Sequence, residues 1–258
     1  MHDFLEHDWM PGPLPIAHRG HSTLYPENTM EAFESAYNLG YRYLETDVHV
    51  TRDGKLVAFH DDDLDRMTDG AGRITEQDWN DLRRLKVAGM ARIPLFTDLL
   101  DRWPNARFIV DPKEDNAVEP LHRVLAEQNI WDRVCVGSFS VKRILWLREQ
   151  AGPRLCTSMT RNEVIRLRFA SLGLPTGHFA AQCIQVPLRH RGIRVLTPGF
   201  IRAARQRNLP IQIWTINDRP TMEWLIEIGI DAIMTDDAAL LKSLLQKGGL
   251  WQDSESSP

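Results

Sequence analysis

The sequence predicts an α/β fold of the TIM-type (β/α)8 barrel class, with parallel strands joined by helical crossovers. Short strand-like runs alternate with amphipathic helical stretches along almost the whole chain, and this alternation is typical of parallel sheets. The chain has 258 residues, and single α/β barrels commonly have about 250. We therefore expect one barrel domain with a core large enough to need no disulfide bonds.

Nine segments have strand character, one more than an eight-stranded barrel needs. They are Leu14–Ala17, Tyr41–Asp47, Leu56–Phe59, Arg107–Val110, Val134–Val136, Arg154–Thr157, Cys183–Val186, Ile211–Trp214 and Ala232–Met234. The connection between the second and third segments contains Asp53-Gly54, a strong hairpin signal. One strand beside this turn is therefore expected to break the regular alternation, although the pattern does not single out the surplus segment.

Polar residues at capping positions mark three helix starts, and glycines mark two helix ends. The starts are predicted at Asn28, Thr75 and Thr160, and the ends at Gly40 and Gly229. Asn28 and Thr160 each stand three residues before a glutamate, which is the spacing of a capping box. Glycine is common just after the last turn of a helix because it adopts positive φ without strain.

The barrel is expected to span residues 14–246 as a single domain, with an irregular excursion between strands at about 61–105. Residues 1–13 and 247–258 are predicted to be tails. No internal repeat, low-complexity tract or interdomain linker is apparent.

Composition and charge exclude several classes of function. The net charge is −4 and there is no run of lysines and arginines, which argues against nucleic-acid binding. The N-terminus lacks the apolar run of a signal peptide, and no stretch approaches the roughly 20 apolar residues of a membrane span. We expect a cytoplasmic protein without stable membrane association.

The three cysteines, Cys135, Cys156 and Cys183, have no CxxC spacing, so buried free thiols are expected. The sequence leaves the oligomeric state open.

Polar or aromatic residues stand at the ends of most predicted strands. They are His18 and Arg19, Glu45 and Asp47, His60 and Asp61, Asp111 and Lys113, Ser138 and Phe139, and Trp214. In a parallel barrel the C-terminal ends of all strands lie at one face, where barrel enzymes have their active sites. A single polar residue at a strand end is often a turn former. Polar residues at the ends of so many strands, most of them ionisable, favour a functional site.

Three of these side chains suggest a metal site. Glu45, Asp47 and Asp111 offer hard oxygen ligands, which suit Mg²⁺ or Ca²⁺. Zinc prefers nitrogen and sulfur ligands, and no histidine or cysteine cluster has zinc spacing. Arg19 and Lys113 add fixed positive charge, which fits an anionic substrate such as a phosphate ester.

Two histidines complete the set of groups that phosphodiester cleavage needs. His18 and His60 are candidates for general acid and general base, without an assignment of which is which, and each such role contributes about 10²–10⁴-fold to a rate. Trp214 is a candidate for the wall beside the substrate. The alternatives are a structural ion-pair network around Glu45 and a barrel-filling role for Trp214.

Neighbouring residues are expected to be structural. Asp62, Asp63 and Asp65 form an acidic run that is predicted to be solvated. Pro26 and Glu27 lead into a helix start. The histidines outside the strand ends are expected on the surface or in the core; they include His21, His49, His122, His178 and His190.

Five stretches, in order along the chain from Ile16 to Asp236, carry a family likeness. They are IAHRGHSTLYPENTMEAF, YLETDVHVTRDGKLVAFHDDDLDRMTDGAG, FIVDPK, IQIWTIND and GIDAIMTD. The sequence resembles the bacterial glycerophosphodiester phosphodiesterases, a group of phospholipase-C-like phosphodiesterase barrels. The resemblance implies a TIM-type barrel with a small cap formed by the excursion after His60.

The resemblance also implies roles for the strand-end residues. A divalent metal would be held by Glu45, Asp47 and the acid at position 111. His18 and His60 would be the acid and base pair, Arg19 and Lys113 the phosphate contacts, and Trp214 part of the wall near the substrate.

The chain departs from the family pattern at two positions. Asp111-Pro112-Lys113 stands where the family usually has Glu-x-Lys, so the third ligand is one methylene shorter and is expected to bind through water or to draw the metal inward. Thr235-Asp236 runs into Asp237-Ala238 where a proline often follows, and an aspartate is expected to cap the last helix.

The function expected from these observations is metal-dependent hydrolysis of glycerophosphodiesters to sn-glycerol 3-phosphate and an alcohol. The nucleophile is either water or the glycerol 2-hydroxyl, and the head-group alcohol is left open. One alternative is a lysophospholipase D, which needs an apolar groove or wall beside the rim; Met67, Trp79 and Leu82 of the cap are candidates for it. The other is a non-catalytic ligand-binding barrel, which the presence of both His18 and His60 disfavours.

Overall fold

Eight parallel strands form the wall of a barrel in the computed structural model, which describes residues 2–6 and 10–252. The strands of the described chain are β1 (Leu14–His18), β2 (Tyr43–Val50), β3 (Leu56–Ala58), β4 (Arg107–Pro112), β5 (Val134–Val136), β6 (Cys156–Thr157), β7 (Ile184–Val186), β8 (Arg189–His190), β9 (Ile193–Arg194), β10 (Ile211–Ile213) and β11 (Ala232–Thr235). Hydrogen-bonded neighbours follow the order β6-β5-β4-β2-β1-β11-β10-β7. A parallel bridge between Ser158 and Cys183 joins the two edges, and the predicted barrel is confirmed.

Strand β3 is the surplus segment. It runs antiparallel to β2, with Val48 opposite Ala58 and Val50 opposite Leu56. The turn between them places Gly54 at a φ of 80°, a conformation that glycine adopts without a Cβ penalty. The hairpin expected at Asp53-Gly54 is therefore present. A second hairpin, formed by β8 and β9, was not predicted.

Helices connect the strands on the outside of the barrel. They are α1 (Met30–Asn38), α2 (Trp79–Leu82), α3 (Phe96–Arg102), α4 (Val118–Gln128), α5 (Val141–Ala151), α6 (Arg161–Ala170), α7 (Pro198–Arg205), α8 (Arg219–Glu227) and α9 (Ala238–Lys247). The capping box at Thr160 is present in full, and helices α1 and α8 end just before Gly40 and Gly229.

Two predicted helix starts were wrong. Thr29, not Asn28, caps α1 by accepting a hydrogen bond from the Ala32 amide; the Asn28 side chain is turned into the barrel mouth instead. Thr75 lies within a short 3-10 helix, and α2 begins after Asp78. The Asn28 side chain is therefore used for a contact with Asp47 rather than for helix capping.

The excursion after β3 has a small core of its own. Residues between 57 and 93 form a separate apolar cluster that includes Leu64, Ile74 and Leu82, with Met67 and Trp79 packed against it. Helix α3 instead packs its Phe96 and Leu99 into the main core between strands and helices. Because Met67, Trp79 and Leu82 face this local cluster, they do not form an apolar wall at the rim.

The predicted tails contribute side chains to the core. Phe4 is fully buried inside the lower part of the barrel, where Tyr43 donates a hydrogen bond to its carbonyl oxygen at 2.7 Å. Trp251 is buried against Tyr41, with ring centroids 5.4 Å apart. Residues 1, 7–9 and 253–258 of these segments lie outside the described part of the chain.

Three thiols lie together in the barrel interior. Cys135, Cys156 and Cys183 are free and buried, as expected, and their sulfur atoms all lie within 4.8 Å of one another. They share a cluster with Phe4 and Tyr43. No described helix combines the length and apolar character needed to cross a bilayer.

Candidate active site

The strand-end residues converge on one cavity. A cavity of about 480 Å³ at the C-terminal mouth of the barrel is lined by all of them except Asp61: His18, Arg19, Glu45, Asp47, His60, Asp111, Lys113, Ser138, Phe139 and Trp214. Asp61 lines an adjoining cavity of about 660 Å³ that shares His60, Asp111 and Lys113. The structure thus brings together the residues proposed from the sequence.

His18 ends β1 with both ring nitrogens facing carboxylates. Its Nδ1 lies 2.6 Å from an oxygen of Asp236, and its Nε2 lies 3.8 Å from Glu45 Oε2. Burial alone would lower the pKa of His18, but Glu45 and Asp236 outweigh burial and raise that pKa above its ordinary value. A histidine held in this way has a fixed orientation and is biased toward carrying a proton.

Asp236 is a site residue that the sequence analysis missed, because an aspartate after the last strand was expected only as a helix cap. Asp237 performs that role, accepting a hydrogen bond from the Leu240 amide. Asp236 instead holds His18 and receives hydrogen bonds from Ser22 and Asn217. The sequence did contain a signal for Asp236, because this residue directly follows β11 and so stands at a strand end, like the other site residues.

His60 has a carboxylate partner from its own loop. Its Nδ1 lies 2.6 Å from Asp61 Oδ1. Arg66, from the excursion, donates hydrogen bonds both to Asp61 and to Glu27. Glu27 also accepts a hydrogen bond from Arg19 at 3.0 Å, so this acid, expected to be structural, links the loop after β1 to the loop after β3.

Asp47 is the most heavily paired carboxylate of the site. Lys113 Nζ lies 2.8 Å from its Oδ1, and Arg19 Nε lies 3.0 Å from its Oδ2. Asn28 donates a hydrogen bond to the same Oδ2 at 3.0 Å. Burial would raise the pKa of Asp47, but Lys113 and Arg19 outweigh it and lower that pKa, so the side chain is an anion at neutral pH.

Glu45 and Asp111 are held less firmly as anions. Burial, together with repulsion from Asp47, raises the pKa of Glu45 to about 7. Burial likewise raises the pKa of Asp111, although Lys113 lies 3.1 Å from one of its oxygens and opposes the change. Buried carboxylates that repel one another in this way are stabilised by a cation placed among them.

The donor chemistry of this carboxylate set fits a divalent cation such as Mg²⁺ or Ca²⁺. The three predicted ligands share one cavity, but their oxygen atoms do not all lie within 4.8 Å of one another, and Lys113 stands between Asp47 and Asp111. Within the described chain, the group with acidic residues that does meet this distance is His49, Asp62 and Glu114.

The turn after β1 depends on a glycine. The chain reverses at Arg19, whose φ is 56°, and Gly20, whose φ is 84°. A Cβ atom on Gly20 would lie 2.6 Å from the backbone carbon of Ala32, so only glycine allows helix α1 to approach this closely. The turn aims the Arg19 guanidinium at Asp47 and Glu27.

Two aromatic rings form the wall of the cavity. Phe139 follows β5 and Trp214 follows β10, and their rings meet edge to face with centroids 5.7 Å apart. Trp214 also packs against the apolar interior of the barrel. Trp214 therefore occupies both positions considered from the sequence: it fills part of the barrel interior, and it lines the cavity.

Comparison with known proteins identifies similar sequences. The model of the glycerophosphoryl diester phosphodiesterase family matches residues 18–240. A Mycobacterium tuberculosis protein named "Probable glycerophosphodiester phosphodiesterase 2" is 33% identical over 258 residues, which cover 96% of each chain. The glycerophosphodiester phosphodiesterase of Caldanaerobacter subterraneus is 29% identical, with 92% of this chain and 99% of the relative covered.

Solved structures share the fold. The crystal structure of a glycerophosphodiester phosphodiesterase from Agrobacterium tumefaciens superposes with a TM-score of 0.75 at 24% identity, covering 90% of this chain and 99% of that one. A phosphodiesterase from Oleispira antarctica, solved in complex with the product sn-glycerol-3-phosphate, gives a TM-score of 0.73 at 21% identity, with coverage of 91% and 97%.

Proposed function

Because the chain belongs to the glycerophosphoryl diester phosphodiesterase family, we propose that it hydrolyses glycerophosphodiesters to sn-glycerol 3-phosphate and an alcohol. The observation that carries this proposal is the pairing of two histidines with carboxylates in one cavity. His18 is held by Asp236 and His60 by Asp61, and both histidines face the cavity that holds Arg19 and Lys113.

The two histidines have the arrangement needed for proton transfer. In each ring, Nδ1 is engaged by a carboxylate at 2.6 Å, so Nε2 is the nitrogen available for proton transfer; Nε2 of His18 lies 3.8 Å from Glu45 Oε2. One histidine removes a proton from the attacking hydroxyl, and the other donates a proton to the departing alkoxide. The carboxylates fix the tautomer and orientation of each ring, as outer partners of catalytic histidines do.

Arg19 and Lys113 would contact the phosphodiester oxygens. In the structure both cations are paired with Asp47, which holds them at the barrel mouth beside the histidines. A phosphodiester is an anion, so fixed positive charge lowers the barrier to attack by a nucleophile and stabilises the charge that develops on oxygen.

Glu45, Asp47 and Asp111 would hold a divalent cation, Mg²⁺ or Ca²⁺. When bound, such an ion supplies Lewis-acid stabilisation of negative charge at the phosphoryl group. The support from this chain is the character of the three acids: buried oxygen donors, with the pKa of Glu45 raised to about 7 by burial and by Asp47.

In the overall reaction, the bond between phosphorus and the head-group oxygen breaks. The hydroxyl oxygen of water joins phosphorus, and the proton ends on the departing alcohol. The glycerol 2-hydroxyl can take the place of water in a first step, in which case water opens a cyclic phosphate in a second.

The test is release of sn-glycerol 3-phosphate from purified protein supplied with glycerophosphocholine, glycerophosphoethanolamine and glycerophosphoglycerol. Each substrate is assayed with Mg²⁺, with Ca²⁺ and with EDTA. Release that EDTA abolishes and added metal restores supports the activity and the metal site together. A folded, metal-supplied protein that releases nothing from any of the three contradicts the proposal.

A further inference from the structure

A histidine and two acids outside the catalytic cavity have the arrangement of a metal site. A ring nitrogen of His49 and one carboxylate oxygen from each of Asp62 and Glu114 all lie within 4.8 Å of one another. None of the three is among the described residues that line the catalytic cavity, and none belongs to the carboxylate set proposed above for Mg²⁺ or Ca²⁺. We call these three residues the histidine–acid cluster.

The fold brings the three side chains together near the end of β2. This strand runs past the end of β4, where Pro112 is opposite Val48, and β3 pairs with the part of β2 that contains His49. The chain that leaves β4 carries Glu114, and the chain that leaves β3 carries Asp62. The cluster therefore joins the segments that follow two different strands.

The ring of His49 is fully buried and has one nitrogen without a partner. Its Nε2 lies 3.2 Å from the backbone carbonyl oxygen of His60. Because a carbonyl oxygen only accepts hydrogen bonds, Nε2 carries the proton of the neutral ring and Nδ1 carries a lone pair. In the described chain this Nδ1 is buried without a hydrogen-bond partner, which is rare for a buried polar atom.

A metal ion would satisfy the lone pair on Nδ1 of His49. Histidines that bind metals almost always donate a hydrogen bond from their other ring nitrogen to a carboxylate, a backbone carbonyl or water. The bond from Nε2 to the His60 carbonyl oxygen has this form. The ring is thus held in the tautomer that metal binding requires.

The two acids give the cluster negative charge and access from solvent. Asp62, which was expected to be solvated, is exposed, and Glu114 is half-buried. Glu114 Oε1 accepts a hydrogen bond from Arg73 at 2.9 Å, so Arg73 neutralises one of the two carboxylate charges. The charge that remains favours a cation, and the exposed Asp62 side chain leaves a path by which an ion can enter.

The donor atoms select the class of metal. Imidazole nitrogen suits zinc and first-row transition metals, whereas Mg²⁺ and Ca²⁺ prefer oxygen ligands. Zn²⁺ binds histidine nitrogen and carboxylate oxygen at about 2.0–2.2 Å, so its ligand atoms lie at most roughly 4.4 Å apart. Separations of up to 4.8 Å require only a small rotation of the exposed Asp62 side chain to meet this limit.

We propose that His49, Asp62 and Glu114 bind a second divalent cation, of the class of Zn²⁺, separate from the cation of the catalytic cavity. His49 is hydrogen-bonded to the His60 carbonyl oxygen, and Glu114 directly follows Lys113. A bound ion would therefore hold the segments that carry His60 and Lys113 in fixed positions relative to each other. Binding of the ion is independent of the proposed function; only this positioning bears on catalysis.

The experiment is a calorimetric titration of Zn²⁺ into the untagged, metal-free protein in the presence of excess Mg²⁺, which competes for the carboxylates of the catalytic cavity. We expect one Zn²⁺ to bind, and Zn²⁺ at about 100 times its Kd to raise Tm by about 5 °C. If the folded protein binds no Zn²⁺, the proposal is wrong.

Variants of the two acids locate the ion. Asp62→Asn and Glu114→Gln each remove the charge of one ligand, and we expect each to weaken Zn²⁺ binding at least about tenfold and to reduce the rise in Tm. Asp63→Asn is the matched control, since Asp63 is also exposed and adjoins Asp62 but is not part of the cluster. This control should bind Zn²⁺ like the wild type.

Glu45→Gln separates the two metal sites. It alters the catalytic cavity and should leave Zn²⁺ binding unchanged. Zn²⁺ binding that is lost in Glu45→Gln but kept in Asp62→Asn, or that is equal in the wild type and every variant, would overturn the proposal. A protein that binds Zn²⁺ at the cluster but releases no sn-glycerol 3-phosphate would support this inference and contradict the proposed function.

Discussion

The Nδ1 atom of His18 lies 2.6 Å from an Asp236 oxygen, although 218 positions separate the two residues in the sequence. The pairing of β1 with β11 explains this contact. Ala17 is directly opposite Thr235 in the parallel register, so the next residue on each strand reaches the barrel mouth beside the other. Closing the sheet into a barrel thus joins the first and last parts of the site.

Replacement of Asp236 by asparagine is expected to lower kcat by about 10–100-fold. Asp236 helps to raise the pKa of His18, so its removal should lower that pKa and shift the His18 limb of the pH–rate profile to lower pH. The measurement is kcat/KM against pH, with Asp218→Asn, at the exposed N-cap of α8, as control. A reduced rate with an unshifted profile would assign Asp236 a purely structural role.

Metal affinity is expected to depend on pH through Glu45. Burial and Asp47 raise the pKa of this side chain to about 7, and a carboxylate must lose its proton to bind a metal. Protons therefore compete with the metal below that pH, and we expect Mg²⁺ to bind about tenfold more weakly at pH 6 than at pH 8. Calorimetric titration measures this change.

Glu45→Gln provides the control for the metal prediction. The amide has nearly the same shape but does not titrate, so the variant should bind Mg²⁺ far more weakly at both pH values. Equal affinity of the wild-type protein at pH 6 and pH 8 would show that Glu45 is not the titrating ligand.

Glu163 is expected to stabilise the fold in a pH-dependent way. It accepts two hydrogen bonds from Arg148, at 3.0 and 3.1 Å, and closes the capping box of α6. Burial would raise its pKa, but Thr160 and Arg148 outweigh burial and lower it. Folding therefore favours the ionised form of Glu163. The contribution of Glu163 to the free energy of unfolding is fully present above its ordinary pKa of 4.5, and it is lost as pH falls through the folded-state pKa.

Glu163→Gln should therefore lower the free energy of unfolding by about 1–3 kcal/mol at pH 7, and the difference from wild type should shrink below the ordinary pKa of 4.5. Urea unfolding at a series of pH values measures it. Glu149→Gln, at an exposed position of α5, is the control and should change little at any pH. If the free energies of unfolding of the wild type and of Glu163→Gln differ by the same amount at every pH, the pH-dependent role assigned to Glu163 is wrong.

Phe4 is expected to be essential for stability, although it lies in a segment predicted to be a tail. It is fully buried in the lower barrel, with its ring edge to face with Tyr43 at a centroid distance of 5.3 Å. Phe4→Ala should lower the free energy of unfolding by about 3–5 kcal/mol, whereas Leu24→Ala, at a largely exposed leucine, should have little effect. Comparable small changes in the two variants would show that the Phe4 side chain is dispensable.

Residues at strand ends were predictable from the sequence because β-strands have a clear pattern and parallel strands end at one face. His18, Glu45, Asp47, His60 and Asp111 were located in this way, and all five line the cavity. The spacing of Glu45 and Asp47, two residues apart on β2, fixed their common orientation.

Residues whose role depends on a distant partner were not predictable. Asn28 has the spacing of a helix cap, but the local pattern does not show that Asp47 lies 3.0 Å from its amide. The local sequence around Phe4 does not distinguish it from any other apolar residue near a terminus, because its burial depends on the interior of the folded barrel. The short strands β8 and β9 were not revealed by the pattern, although Ile193 of β9 lines the cavity, so an apolar wall was sought in the cap instead.

The most direct test of the account is release of sn-glycerol 3-phosphate from glycerophosphocholine by the wild-type protein and by His18→Ala and His60→Ala, each with Mg²⁺. We predict steady release by the wild type and a decrease of about 10²–10⁴-fold in each variant, with unfolding transitions that match the wild type. Equal release by all three proteins, or none by the folded wild type, would contradict the account.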